Sequence, residues 1–117
     1  MIASLAIIFE GGCYYDVAEE LYPPSETFCD TTNISYSVKI VPVIQDNCYS
    51  CHTGAAPSGN VSLDSYAGVK AQADNGKLIG TISHAAGFSP MPQGGNKLNS
   101  CQIAIIQTWI DNGAPNN

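Results

Sequence analysis

A chain of 117 residues has room for one compact domain and not for two. Four basic residues against ten acidic ones give a formal charge of -6. This argues against nucleic acid and anionic membrane surfaces, which are bound by clustered Lys and Arg, and favours a partner with a basic docking surface. Charged residues make up only 12%, with 11 Gly and 7 Pro, so a loop-rich globule is expected, one small enough to need stabilisation beyond its core.

The opening run Met1-Ile2-Ala3-Ser4-Leu5-Ala6-Ile7-Ile8-Phe9 is apolar and too short to span a bilayer. Residues 1–12 therefore read as a secretory signal segment. Glu10-Gly11-Gly12-Cys13 follows, and small residues directly before a cysteine resemble the lipobox of bacterial lipoproteins. That resemblance implies a lipid on Cys13 and an anchor in the membrane. Two features depart from the pattern: no Lys or Arg precedes the apolar run, and Glu10 stands where an aliphatic residue is usual. The alternative is an unprocessed apolar segment with a free thiol at Cys13.

Residues 13–33 are acidic and carry Pro23 and Pro24 without helical or strand period, the composition of a tether. Cys29 within it suggests that its far end is tied down. Residues 34–117 form the expected domain. Its first helix contains Ile40, Val41, Val43 and Ile44 and runs toward Cys48, with Pro42 in the first turn. Residues 53–62 are turn-rich. A second helix is expected from about Asp64 to Ala73, with Leu63, Tyr66, Val69 and Ala73 on one face, stopping at Asn75-Gly76. A third covers about Lys77 to Ser83, and two prolines and three glycines make residues 87–95 an extended loop. The last helix is capped by Asn99 with Gln102 three residues on, carries Ile103, Ile106, Trp109 and Ile110 as a stripe, and ends at Gly113 and Pro115. No strand pattern competes, so the expected fold class is all-α, about four short helices.

Chemistry concentrates in Cys48-Tyr49-Ser50-Cys51-His52. Cys-x-x-Cys-His is the attachment signature of c-type haem. Two residues between the thiols let both sulfurs reach the vinyl groups on one porphyrin edge, and the adjacent histidine becomes the proximal iron ligand. A redox Cys-x-x-Cys wants a βαβ context that is missing here, and a zinc site would have to draw on Cys29, Cys101 and His84. For the sixth ligand Met91 leads, by analogy with the Met/His ligation of cytochromes c. It is the only methionine besides Met1 and sits in Ser89-Pro90-Met91-Pro92, where prolines stiffen the backbone. His84, the one other histidine, is its rival, with local hydrogen bonding as the plainer role. Five cysteines in a chain this short point to an oxidising compartment.

The haem motif, the Ser89-Pro90-Met91-Pro92 loop and the closing Trp109-Ile110-Asp111-Asn112-Gly113-Ala114-Pro115 resemble the small mono-haem cytochrome c domains of Gram-negative bacteria, often lipoproteins. The resemblance covers roughly residues 34–115. It implies the cytochrome c fold around one haem c, with terminal helices crossing beside it and Trp109 packed near the haem edge, a place compatible with a plain core role. If those helices meet, Cys29 and Cys101 come close enough for a disulfide, worth about 4 kcal/mol by chain entropy. The function this implies is electron transfer between redox partner proteins, not catalysis, on the periplasmic side of a membrane. The alternatives are a haem enzyme or gas sensor with an open sixth position, and a non-redox lipoprotein with structural cysteines.

Overall fold

A computed structural model describes residues 29–117; the expected signal segment, most of the expected tether and Cys13 lie outside the described residues. Every regular element among the described residues is helical, and none of the helices is long and apolar enough to cross a membrane. We number the α-helices α1 (Val41–Cys48), α2 (Tyr66–Asp74), α3 (Lys77–Ile82) and α4 (Ser100–Asp111).

The first helical segment begins earlier than Pro42 alone suggests. A π-helical turn, Tyr36–Ile40, runs directly into α1, capped by Ser35, whose hydroxyl accepts from the Val38 N–H. Ile40 N–H bonds to Ser35 C=O and Val41 N–H to Tyr36 C=O, each five residues back. The wider turn has a physical reason. Pro42 has no N–H to donate and its ring crowds the carbonyl four residues earlier, so the segment upstream opens into a register that avoids the clash.

Helix α2 starts at Ser65, whose side chain accepts from Gly68 N–H, one to two residues later than the sequence suggests. Glycine is required at position 68, since a Cβ there would lie 2.1 Å from the Ser62 carbonyl oxygen. Gly76, at φ 78°, makes the left-handed turn from α2 into α3. Helix α4 has a full capping box: Asn99 Oδ1 accepts from Gln102 N–H at 2.8 Å, and Gln102 Oε1 accepts from Asn99 N–H at 3.2 Å. Its other end is a Schellman motif, with Gly113 N–H on Ile110 C=O and Ala114 N–H on Trp109 C=O, and Gly113 at φ 92°. Replacing Asn99 with alanine removes one half of the box and should lower stability by about 1 kcal/mol. Thermal unfolding should register this as a melting temperature lower by about 4–8 °C.

One apolar core joins these elements. Ile40, Ile44, Val69, Ile106 and Trp109 are its fully buried side chains. The π-turn packs on α4, α3 bridges α2 and α4, and Tyr36 lies against both Tyr66 (ring centroids 5.1 Å apart, edge-on) and Trp109 (5.6 Å). Trp109 Nε1–H donates to Pro115 C=O, and Tyr66 O–H to Ala114 C=O. Asn117 Oδ1 accepts from Tyr36 N–H, so the C-terminal residues are stitched onto the first helical turn. Beside this junction Cys29 and Cys101 form a disulfide, Cα–Cα 5.3 Å. Together with a Lys39–Asp30 ion pair, it holds residues 29–33, the far end of the expected tether, on the domain.

Candidate functional site

The Cys-x-x-Cys-His run is formed by the way α1 ends. Its last residue is Cys48, whose carbonyl accepts from both Cys51 N–H (3.2 Å) and His52 N–H (3.0 Å). That tight turn gathers the two thiols and the imidazole, and Ile40 and Ile44, fully buried, fix the helix that carries it. The chain then loops back through a 3₁₀ turn at Ser58–Asn60 and returns alongside. Ser58 N–H donates to Cys51 C=O and Leu63 N–H to His52 C=O, each at 2.8 Å.

This return also fixes the imidazole. His52 Nδ1 lies 3.0 Å from the Val61 carbonyl oxygen. A carbonyl only accepts, so Nδ1 carries the hydrogen and Nε2 of the neutral ring keeps its lone pair. A backbone carbonyl on the far nitrogen is the arrangement that sets the tautomer and orientation of metal-binding histidines. His52 is thus held at its main chain by Leu63 and at its ring by Val61.

Two adjoining cavities, about 380 and 110 Å³, open against this turn. Together they reach the roughly 300–1,000 Å³ range of cofactor pockets. Cys48, His52, Val61, Ile82 and Met91 line both. Leu63 and Leu78 add apolar wall on one side, and Cys51, Pro92 and Leu98 complete the other. Polar side chains are few: Gln72, Lys77 and Thr81 in the smaller cavity, and Asn47, Ser50, Ser58 and Gln93 in the larger. Of the four lysines only Lys77 lines the cleft, while Lys39 and Lys70 pair with Asp30 and Asp74.

The cysteines separate into two pairs. Cys29 and Cys101 are joined to each other, so neither is available as a zinc ligand beside Cys48. Among the described residues no group of three or more His, Cys, Asp or Glu side chains converges on a metal-sized site. Cys48 and Cys51 are free thiols, and burial pushes the Cys48 thiol up to about 11. A thiol-disulfide exchange site needs the opposite, a thiol lowered toward neutral pH by nearby positive charge or a helix N-terminus. Cys48 sits at a helix C-terminus.

Met91 reaches the cleft from the loop after α3; His84 lines neither cavity. Trp109 is fully buried in the core against Tyr36 and lines neither cavity. The sequence places Val61 in a turn-rich loop and Leu63 on the face of the second helix; Leu63 instead precedes that helix, and what residues 61 and 63 contribute to the site is a carbonyl and an N–H that any residue type supplies. The alternation of Val61 and Leu63 was the one available sign that this segment packs.

The Met91 loop is seated by a close approach at Gly80. A Cβ at that position would lie 2.6 Å from the Phe88 ring. Gly80→Ala should therefore push Phe88 and its loop off α3 at about 1–3 kcal/mol, as overpacking does. Adding Phe88→Ala to that variant should recover most of the loss in thermal unfolding. If Phe88→Ala recovers nothing, the contact is not what requires glycine.

No protein-family model, curated protein or solved structure matched the chain.

Proposed function

We propose that the chain carries one covalently bound haem c and works as an electron-transfer protein of the cytochrome c kind, with the cytochrome c fold. One observation carries the reading: the His52 ring, with Nδ1 bound to the Val61 carbonyl and its other nitrogen free to ligate, shares an apolar cleft with the Cys48 thiol and the Met91 thioether. The residues fit the group. Cys48 and Cys51 would form the two thioether links, and His52 and Met91 would hold the iron.

Bound there, the haem supplies a one-electron Fe(III)/Fe(II) couple, with methionine ligation favouring the reduced state. The rest is done by the chain. Val61, Leu63, Leu78 and Ile82 line the cleft with apolar surface, which around a bound haem would lower the local dielectric and make an added positive charge on the site less favourable. The Val61 and Leu63 hydrogen bonds keep the imidazole from rotating as charge changes, so little reorganisation accompanies transfer. No proton has to move. The net charge of -6 suits a redox partner with a basic docking surface. Lipidation at Cys13 would place the domain on the periplasmic side of a bacterial membrane.

The test is expression with a haem-attachment system, followed by haem staining on a denaturing gel and optical redox titration. The wild type should keep its haem through denaturation, and Cys48→Ala/Cys51→Ala should lose it. The oxidised protein should show a near-infrared sulfur-to-iron charge-transfer band. A haem protein without that band, binding cyanide or carbon monoxide readily, would instead have an open sixth position and belong with ligand-binding or catalytic haem proteins. Absence of covalent haem would leave a lipoprotein with structural cysteines.

A further inference from the structure

The loop that carries Met91 is closed at its base by His84. His84 Nε2 lies 3.0 Å from the Met91 carbonyl oxygen, and since that oxygen only accepts, Nε2 is the donor. The Thr81 carbonyl accepts from His84 N–H at 3.2 Å and from Met91 N–H at 3.0 Å. Both backbone polar groups of Met91 are therefore satisfied within one small clasp, and the clasp is built on the last turn of α3. His84 sits at φ 54°, in the left-handed region that non-glycine residues seldom adopt. The conformation is that of a Schellman helix end: His84 N–H bonds Thr81 C=O and Ala85 N–H bonds Gly80 C=O, so His84 holds at the end of α3 the place that Gly113 holds at the end of α4. That turn leaves the exposed His84 ring over the loop, within hydrogen-bond distance of the Met91 carbonyl.

We propose that His84 is a positioning residue for the iron's sixth ligand, fixing the Met91 main chain so that the thioether stays in the cleft. The role rests on the haem reading above and replaces the alternative in which His84 is itself that ligand. Residues 85–90 are exposed, and two links tie them to α3: Ala85 N–H on the Gly80 carbonyl at 3.0 Å and Phe88 against Gly80. Without the clasp the loop would be held mainly by the Thr81–Met91 bond and those two links. Loss of one hydrogen bond of ordinary strength should raise the fraction of molecules with Met91 off the iron about five- to tenfold.

Three variants of the holoprotein separate the clasp from the backbone preference. His84→Ala removes the donor. His84→Asn keeps a residue at home in the left-handed region but too short to reach Met91. His84→Gln restores the reach. In the oxidised protein, His84→Ala and His84→Asn should bind imidazole or cyanide about five- to tenfold faster than wild type, with a weaker charge-transfer band. His84→Gln should return toward wild type. Far-UV circular dichroism should be the same for all, because His84 is exposed. Wild-type ligand-binding rates and band intensity in His84→Ala and His84→Asn would overturn the assignment while leaving Met91 ligation intact. A wild-type holoprotein that lacks the band would show that Met91 is not the ligand, and the assignment would fall with it.

Discussion

On the haem reading, replacing Met91 with alanine should leave the haem attached and the fold intact but change the iron's chemistry sharply. The main-chain bonds of residue 91 to Thr81 and His84 involve no side-chain atom and survive the change. The thioether is lost. The near-infrared band should vanish, carbon monoxide should bind the reduced protein, and the potential should fall by a sizeable part of the about 0.8 V over which axial ligands tune haem. The direction follows from the ligand: a thioether is a weak donor that favours Fe(II), and water or hydroxide in its place favours Fe(III). A potential and band unchanged from wild type would show that the sixth ligand comes from elsewhere.

Removing the Cys29–Cys101 disulfide should have the largest effect on stability. The two residues are separated by 72 positions and enclose the domain up to the first turn of α4. In the chain-entropy treatment a cross-link over that span restricts the unfolded chain by about 4 kcal/mol. In a protein whose total stability is of order 5–15 kcal/mol, that is a large share. Cys29→Ser/Cys101→Ser should therefore melt about 15–30 °C below wild type, at the 4–8 °C per kcal/mol expected for a domain of this size. Reduction of the wild type should reproduce the shift. The native helices should be unchanged at low temperature, because the effect acts mainly on the unfolded state. A shift of only a few degrees would mean that the unfolded chain is already restricted without the bridge.

The helices were legible because their signals are local. Asn99 and Gln102 stand three apart before an apolar stripe, and the structure forms the full capping box there. Asn75-Gly76 and Gly113 mark helix ends, and both glycines take left-handed φ where the chain turns. The first helix was legible only in its second half. Pro42 reads as a start signal, yet the chain continues helically upstream by changing register, an accommodation that depends on Tyr36 and Ile40 being buried against the rest of the core. Likewise the boundary of α2 is set by Ser65 and by the approach of Gly68 to the Ser62 carbonyl, a contact only six residues apart but made by a backbone oxygen that no residue type announces.

The Cys48-Tyr49-Ser50-Cys51-His52 run was readable from spacing alone, because two thiols and an imidazole within five residues are brought together by one turn of chain. What the sequence could not supply was everything contributed by backbone atoms. The Val61 carbonyl that orients His52, the Leu63 N–H that holds its main chain and the Met91 carbonyl that accepts from His84 have no residue signature. The placement of Met91 and His84 is of the same kind. Both were candidates on residue type, and only the packing of the loop against α3 turns one side chain toward the cleft and the other onto that loop's own backbone. By itself, then, the sequence determined the all-α class, the helix ends and the clustering of Cys48, Cys51 and His52, since each follows from contacts a few residues apart. Tertiary structure alone decided which distant segments meet, and with them the shape of the cleft, the fixed imidazole and the residue that accompanies it.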